Sequence, residues 1–134
     1  MKSFHNDIFD DGLNAAKTNA NKMVLCKQPP TTFNEANNLD TDGIPGFKVA
    51  EIAMVAGDYT VQDRAGGGRE CVIAAKAAGN ALDNSLVSDD LHFALIDTVN
   101  SKLLVVNDET TDQVITLGNP VNIPSWSFNG KDPV

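Results

Sequence analysis

The sequence predicts a mainly β protein, either an antiparallel β-sandwich or a jelly-roll-like barrel, with a short N-terminal helix. Three observations carry this reading. From residue 47 onward, short apolar runs recur between turn signals spaced about 8–12 residues apart. The densest of them, "HFALIDTVNSKLLVVND" at residues 92–108, reads as two strands joined by a short polar turn. Helical spacing of apolar residues is clearest in the first 20 residues.

A chain of 134 residues suits one domain and is long enough to bury a core without covalent staples. No repeat, low-complexity tract or long linker divides it, so residues 1–134 are read as a single domain. Residues 1–20 form a helical arm, and residues 21–134 form the β domain. In the arm, Ile8, Phe9, Leu13 and Ala16 lie near helical spacing. Asn6 is the expected cap, and Asp7, Asp10 and Asp11 sit where the positive end of the helix dipole favours acids. Gly12 weakens the helix.

A polar connector, "KTNAN", leads to a strand at residues 22–27, which "QPP" ends because proline cannot donate to a ladder. "TTFNEANN" predicts one helical turn capped by Thr31 or Thr32, with Glu35 as the capping-box partner. "LDTDGIPG" is a loop by composition. "FKVAEIAMV", "GDYTVQD" and "CVIAAKA" are strands, with "RAGGGRE" as a turn between the last two. "AGNALDNSLVSDD" fits no single element. Four strands close the chain, at residues 92–99, 102–107, 113–117 and 121–128.

In the 92–108 hairpin, Phe93 and Leu95 share one face and Ala94 and Ile96 the other; Leu103 and Val105 lie opposite Leu104 and Val106. A strand with one wet face alternates apolar and polar residues, and these strands do not. The hairpin therefore sits between two layers of its own fold, or its outer face meets another subunit.

The net charge is −8, with basic residues scattered rather than clustered. Such a surface is a poor partner for nucleic acid or an anionic membrane, which need grouped Lys and Arg. No window approaches the ~18 apolar residues of a membrane span. The N-terminus lacks the unbroken apolar stretch of a secretion signal. The chain is thus expected to be made in a cytoplasm and used there, or built there into something that later leaves. Cys26 and Cys71 both sit inside apolar runs, which predicts buried free thiols, although sequence alone leaves a disulfide open.

No catalytic constellation stands out. Asn38, Asp40, Asp42 and Gly43 open like a calcium loop, but its twelfth position is Val49 and Glu51 falls two places late. A polar loop with an Asx turn is the simpler reading, with no metal expected. "AGGGR" lacks the Lys-Ser/Thr of a phosphate loop. His5 and His92 are isolated; His92 has Asp89 and Asp90 nearby but no nucleophile. Asp10/Asp11 and Asp89/Asp90 are adjacent pairs, and neighbours on a strand face opposite ways, which is unsuited to acid–base work. Trp126 and Phe128 share one face of the last strand, where Pro124 implies an edge or a bulge. Trp126 with Tyr59 offers a sugar-stacking platform or a piece of core. The residues therefore predict a non-enzyme that needs no cofactor.

Three segments carry a resemblance. Residues 20–36, "ANKMVLCKQPPTTFNEA", match an "NK-x-V-x-C…P-T-T-Y/F-x-E-A" opening. Residues 91–108 contain an "A-L-V/I-D…S-K/R-L-L" hairpin, and residues 118–134 a closing "N-x-V-N-x-P-x-W…D-P". Together they resemble small virion structural proteins of tailed bacteriophages, with a weaker match over residues 40–90. The resemblance carries no catalytic residue.

It implies a capsid decoration, or cement, protein on the capsid surface of the virion, assembled in the host cytoplasm. Such a protein bridges subunits of the phage major capsid protein, or contacts other virion proteins. It also implies a homo-oligomer, with a trimer favoured by local threefold positions. The residues expected to make these contacts are Ile8, Phe9 and Leu13 on the helix, Leu104 and Val106 on the hairpin, and Trp126. A tail, neck or fibre-attachment component is the nearest alternative. A carbohydrate-binding module using Trp126 and Tyr59 is the alternative from another class, and a hydrolase lacks any supporting constellation.

Overall fold

The computed structural model describes residues 5–130, with the side chain of Ile8 outside the description. Among the described residues nine strands form three antiparallel sheets, and the chain is mainly β. The strands are β1 (Lys22–Cys26), β2 (Lys48–Ala53), β3 (Tyr59–Asp63), β4 (Arg69–Ile73), β5 (Lys76–Asn80), β6 (His92–Asp97), β7 (Lys102–Asp108), β8 (Pro120–Ile123) and β9 (Trp126–Gly130). Their orders are β2-β1-β6-β7, β3-β4-β9 and β5-β8. The sheets lie as a sandwich with open edges. The jelly-roll-like barrel is thereby corrected, because no ladder joins β7 back to β2.

Helix α1 (Asn6–Asn19) is capped by His5, whose side chain accepts from the Asp7 N–H, so the cap lies one residue before the expected Asn6. Leu13, Ala16 and Ala20 bury one stripe of this segment in the main core. Arg69 on β4 then clamps the helix with a two-pronged contact to Asp10, at 2.6 and 3.2 Å. The 1–20 segment is therefore docked on the chain's own sheet over its described part.

Between the sheets, Met23, Leu25, Phe93 and Leu95 face Tyr59, Cys71, Ile73 and Trp126. Trp126 stacks on Phe93 with centroids 5.8 Å apart, and its indole N–H points at the Met23 sulfur, 3.3 Å away. The Tyr59 hydroxyl donates to the Ala20 carbonyl at 2.8 Å, which satisfies a buried polar group.

A second, smaller core lies on the other face of β1 and β6. Short helix α2 (Phe33–Asn37) covers Val24, Cys26, Ala94 and Ile96 with Phe33, Ala36 and the nearby Phe47. Thr32 and Glu35 form the expected capping box. This double coverage accounts for the apolar character of both faces of β6: its own chain encloses it.

Two expected strands each divide into two. "CVIAAKA" supplies the end of β4 and the start of β5, and residues 121–128 supply β8 and β9. The breaks stand opposite each other, since Ile73 pairs with Trp126 and Lys76 with Ile123. They mark the bend of one long two-stranded ribbon. Pro124 offers no N–H there, and the Ser125 hydroxyl donates to the Ile73 carbonyl at 2.7 Å. Residues 113–117, expected as a strand, form an extended strap instead. Ile115 N–H donates to Ser85 Oγ and Leu117 N–H to Asn84 Oδ1, so side chains replace half of a normal ladder.

Candidate functional site

The groups able to do chemistry fall into a few places. One is a row across the four-stranded sheet. In register, Lys48 is opposite Cys26, Cys26 opposite His92, and His92 opposite Asp108. The sequence separates these residues widely, so nothing in its linear pattern announces the row. A thiol, an imidazole and a carboxylate in line invite a nucleophilic reading.

The environment argues against it. Cys26 is fully buried, and burial pushes its thiol up to about 12, with Lys48 pulling down and Glu35 pushing further up. It carries no thiolate near neutral pH. His92 Nδ1 lies 3.0 Å from the Asp90 carbonyl oxygen. Cys71, the other free thiol, is also fully buried and is pushed up to about 11 by burial, with Lys17 opposing.

At the end of the row, Asp90, His92 and Asp108 each bring one ligand atom within 4.8 Å of the others. His92 Nδ1 and Asp90 Oδ1 lie 3.7 Å apart, a separation that two ligands of one zinc ion, each about 2.0–2.2 Å from it, can span. Asp90 and Asp108 are exposed, and His92 is mostly buried. No metal was expected from the sequence, and this trio went unnoticed there.

The expected loop residues have other work. Asp42 accepts the Leu39 N–H at 2.8 Å, and Asp40 pairs with Lys27 at 3.1 Å. The "AGGGR" glycines turn the β3–β4 hairpin with φ near +84 to +101° at Gly66, Gly67 and Gly68, a region that favours glycine. Asp89 accepts the Leu86 N–H and a hydrogen bond from Gln28.

Of the residues expected at an interface, Ile8 has its side chain outside the description, and the others do not gather on one surface. Leu13 and Trp126 lie in the main core, Trp126 only 9% exposed. Phe9 is half-buried beside Gly130, where an added Cβ would strike its ring. Register slips by one residue between Leu95 and Ile96, so Ile96 opposes Leu103 rather than Leu104. Leu104 then packs against the main core, Leu103 against the second core, and Val106 remains 38% exposed. Leu104 and Val106 therefore do not present the joint outer face expected of them. Tyr59 is buried as well, which leaves no aromatic platform for a sugar at Tyr59 and Trp126.

Two loops supply what sequence reasoning passed over. Residues 81–91 and the strap at 109–119 run together, held by Ser85 N–H to the Ile115 carbonyl and Ala81 N–H to the Asn119 carbonyl. They carry five of the nine large exposed aliphatic side chains among the described residues. Beneath the strap a cavity of about 220 Å³ opens between it and β8, with Leu25, Leu91 and Phe93 in its wall and Glu109 and Gln113 among its polar lining. Glu109 closes the turn above by accepting the Thr111 and Asp112 N–H groups.

Compared with known proteins, the chain matches no family model, no curated protein and no solved structure.

Proposed function

We propose that this chain is a non-enzymatic structural protein of a tailed bacteriophage, a capsid decoration protein that stabilises the head by bridging capsid subunits. The three segments that resemble such proteins support the reading. The structural observation that carries it is the concentration of exposed aliphatic side chains on the two loops of an acidic chain whose thiols are both buried. Exposed aliphatic patches mark contact surfaces. Thiols without thiolate character do not act as nucleophiles. A decoration protein gains strength from many repeated weak contacts rather than from one deep site.

The test uses particles made without the chain. Adding the purified protein back should bind these particles to saturation and raise the temperature at which they release DNA. Particles that neither bind the chain nor gain heat resistance would refute the proposal. Binding confined to the tail would move the chain to a tail or neck role.

A further inference from the structure

The loop at 81–91 and the strap at 109–119 lie in antiparallel register. Ser85 N–H donates to the Ile115 carbonyl at 2.9 Å and Ile115 N–H to Ser85 Oγ at 2.7 Å. That pairing sets Leu86 level with Val114. The bond from Leu117 N–H to Asn84 Oδ1, 2.8 Å, continues it. Leu86, Val87, Val114 and Leu117 are exposed by 66, 87, 55 and 56%. Four aliphatic side chains left in water on two joined loops are apolar surface that a partner would bury.

The charge that these segments themselves carry has one sign. Residues 81–91 and 108–119 hold Asp83, Asp89, Asp90, Asp108, Glu109 and Asp112, and no Lys or Arg. Asp83 is paired with Lys27 at 3.4 Å, and Asp90 Oδ1 lies 3.7 Å from the His92 ring. A second copy would set these same carboxylates against each other, on chains that each carry −8. A partner with positive charge around an apolar centre fits instead. The cavity of about 220 Å³ under the strap is of a size for one aliphatic or aromatic side chain, with Leu91 and Phe93 in its wall and Glu109 and Gln113 lining it too.

We propose that this two-loop surface docks a basic segment of a partner protein, in which Lys or Arg residues flank an aliphatic or aromatic anchor that enters the cavity beside β8. The proposal rests on reading the chain as an assembly component and adds the chemistry of what it binds. Attraction of opposite charge would speed encounter and set orientation, and the apolar anchor would hold the complex.

The test titrates the intact, 15N-labelled chain with a short synthetic peptide that interleaves Lys with Leu and Phe. Two control peptides replace Lys by Glu, or Leu and Phe by Ser. Amide shifts confined to residues 82–91 and 109–123, absent with both controls, are expected. The variant L86S/V87S/V114S should bind at least tenfold more weakly, and raising salt from about 50 to about 300 mM should weaken binding too. All three substituted residues are exposed; D90N/D108N provides a second variant that removes charge without touching the apolar surface, and it too should weaken binding.

Shifts spread over other acidic surfaces, or binding unchanged in both variants, would overturn the proposal. So would self-association that L86S/V87S/V114S abolishes while the peptide fails to bind, because the surface would then belong to a second copy. The two readings separate cleanly. Peptide docking at these loops by a chain that does not bind particles keeps the surface and loses the virion role. Particle binding without peptide docking does the reverse.

Discussion

Cys26, His92 and Asp108 stand side by side on three strands, yet their surroundings decide what each can do. A thiol shifted up to about 12 by burial has almost no nucleophilic form at neutral pH. Both cysteines should therefore resist a thiol-labelling reagent in the native chain and react fully once it is unfolded. Fast native labelling of Cys26 would show that the second core opens readily. The same logic separates two neighbours on β7. Leu104→Glu places a charge against the main core and should cost roughly 2 kcal/mol or more of stability. Val106→Glu, at a position 38% exposed, should cost roughly 0.5 kcal/mol, within the range of ordinary surface changes. Urea melts of the two variants measure the difference; equal losses would contradict the bulge.

At the scale of elements, glycines with different surroundings make opposite predictions. Gly12 lies in the exposed middle of α1 with nothing near its would-be Cβ, so Gly12→Ala should stabilise by about 0.5–1 kcal/mol. Gly46 lies where the chain passes hard against the Asn38 and Leu39 carbonyls, before β2 begins. A Cβ there would collide with backbone, so Gly46→Ala should destabilise by roughly 1–3 kcal/mol. Thermal melts check both, and a neutral Gly46→Ala would show that this loop yields easily.

Elements set by local chemistry were legible in the sequence. The Thr32–Glu35 capping box, the β6–β7 hairpin and the glycine turn after β3 each depend on residues a few positions apart. The bend at Ala74–Ala75 and Pro124–Ser125 was not. It exists because two strands change sheets at the same level, a relation between residues about 50 apart. Pro124 was the only visible sign of it. The strap at 113–117 misled for a similar reason: its apolar alternation is that of a strand, but the N–H groups of Ile115 and Leu117 bond to the side chains of Ser85 and Asn84. The two-loop surface escaped notice because neither loop is apolar enough alone to attract attention. The resemblance implied an assembly role without saying where contact would occur.

For the whole molecule, pH dependence follows from carboxylates that the fold holds in their charged form. Burial opposes ionisation of Asp58, but the Val55 N–H and the Lys76 ammonium outweigh it and keep its pKa below the ordinary carboxylate value. Burial likewise opposes Glu51, and Lys48 and Lys22 overcome it. Asn100 is the largest influence lowering Asp97. A group whose pKa falls on folding adds stability that is complete above its unfolded pKa, about 4, and that disappears as pH drops through the folded value. In salt high enough to screen self-repulsion, the melting temperature should stay level from about pH 7 to 5 and fall below about pH 4. Asp58→Asn should flatten that fall. Stability that rises on acidification would contradict these assignments.

The proposed place of the chain on a phage head rests on its resemblance and on the two-loop surface. A reconstruction of the intact virion tests it most directly. Density for this β-sandwich is expected on the outside of the shell, over junctions between capsid subunits, with residues 82–91 and 109–119 against a basic surface of the neighbouring protein. Purified virions that contain no copy of the chain would contradict it.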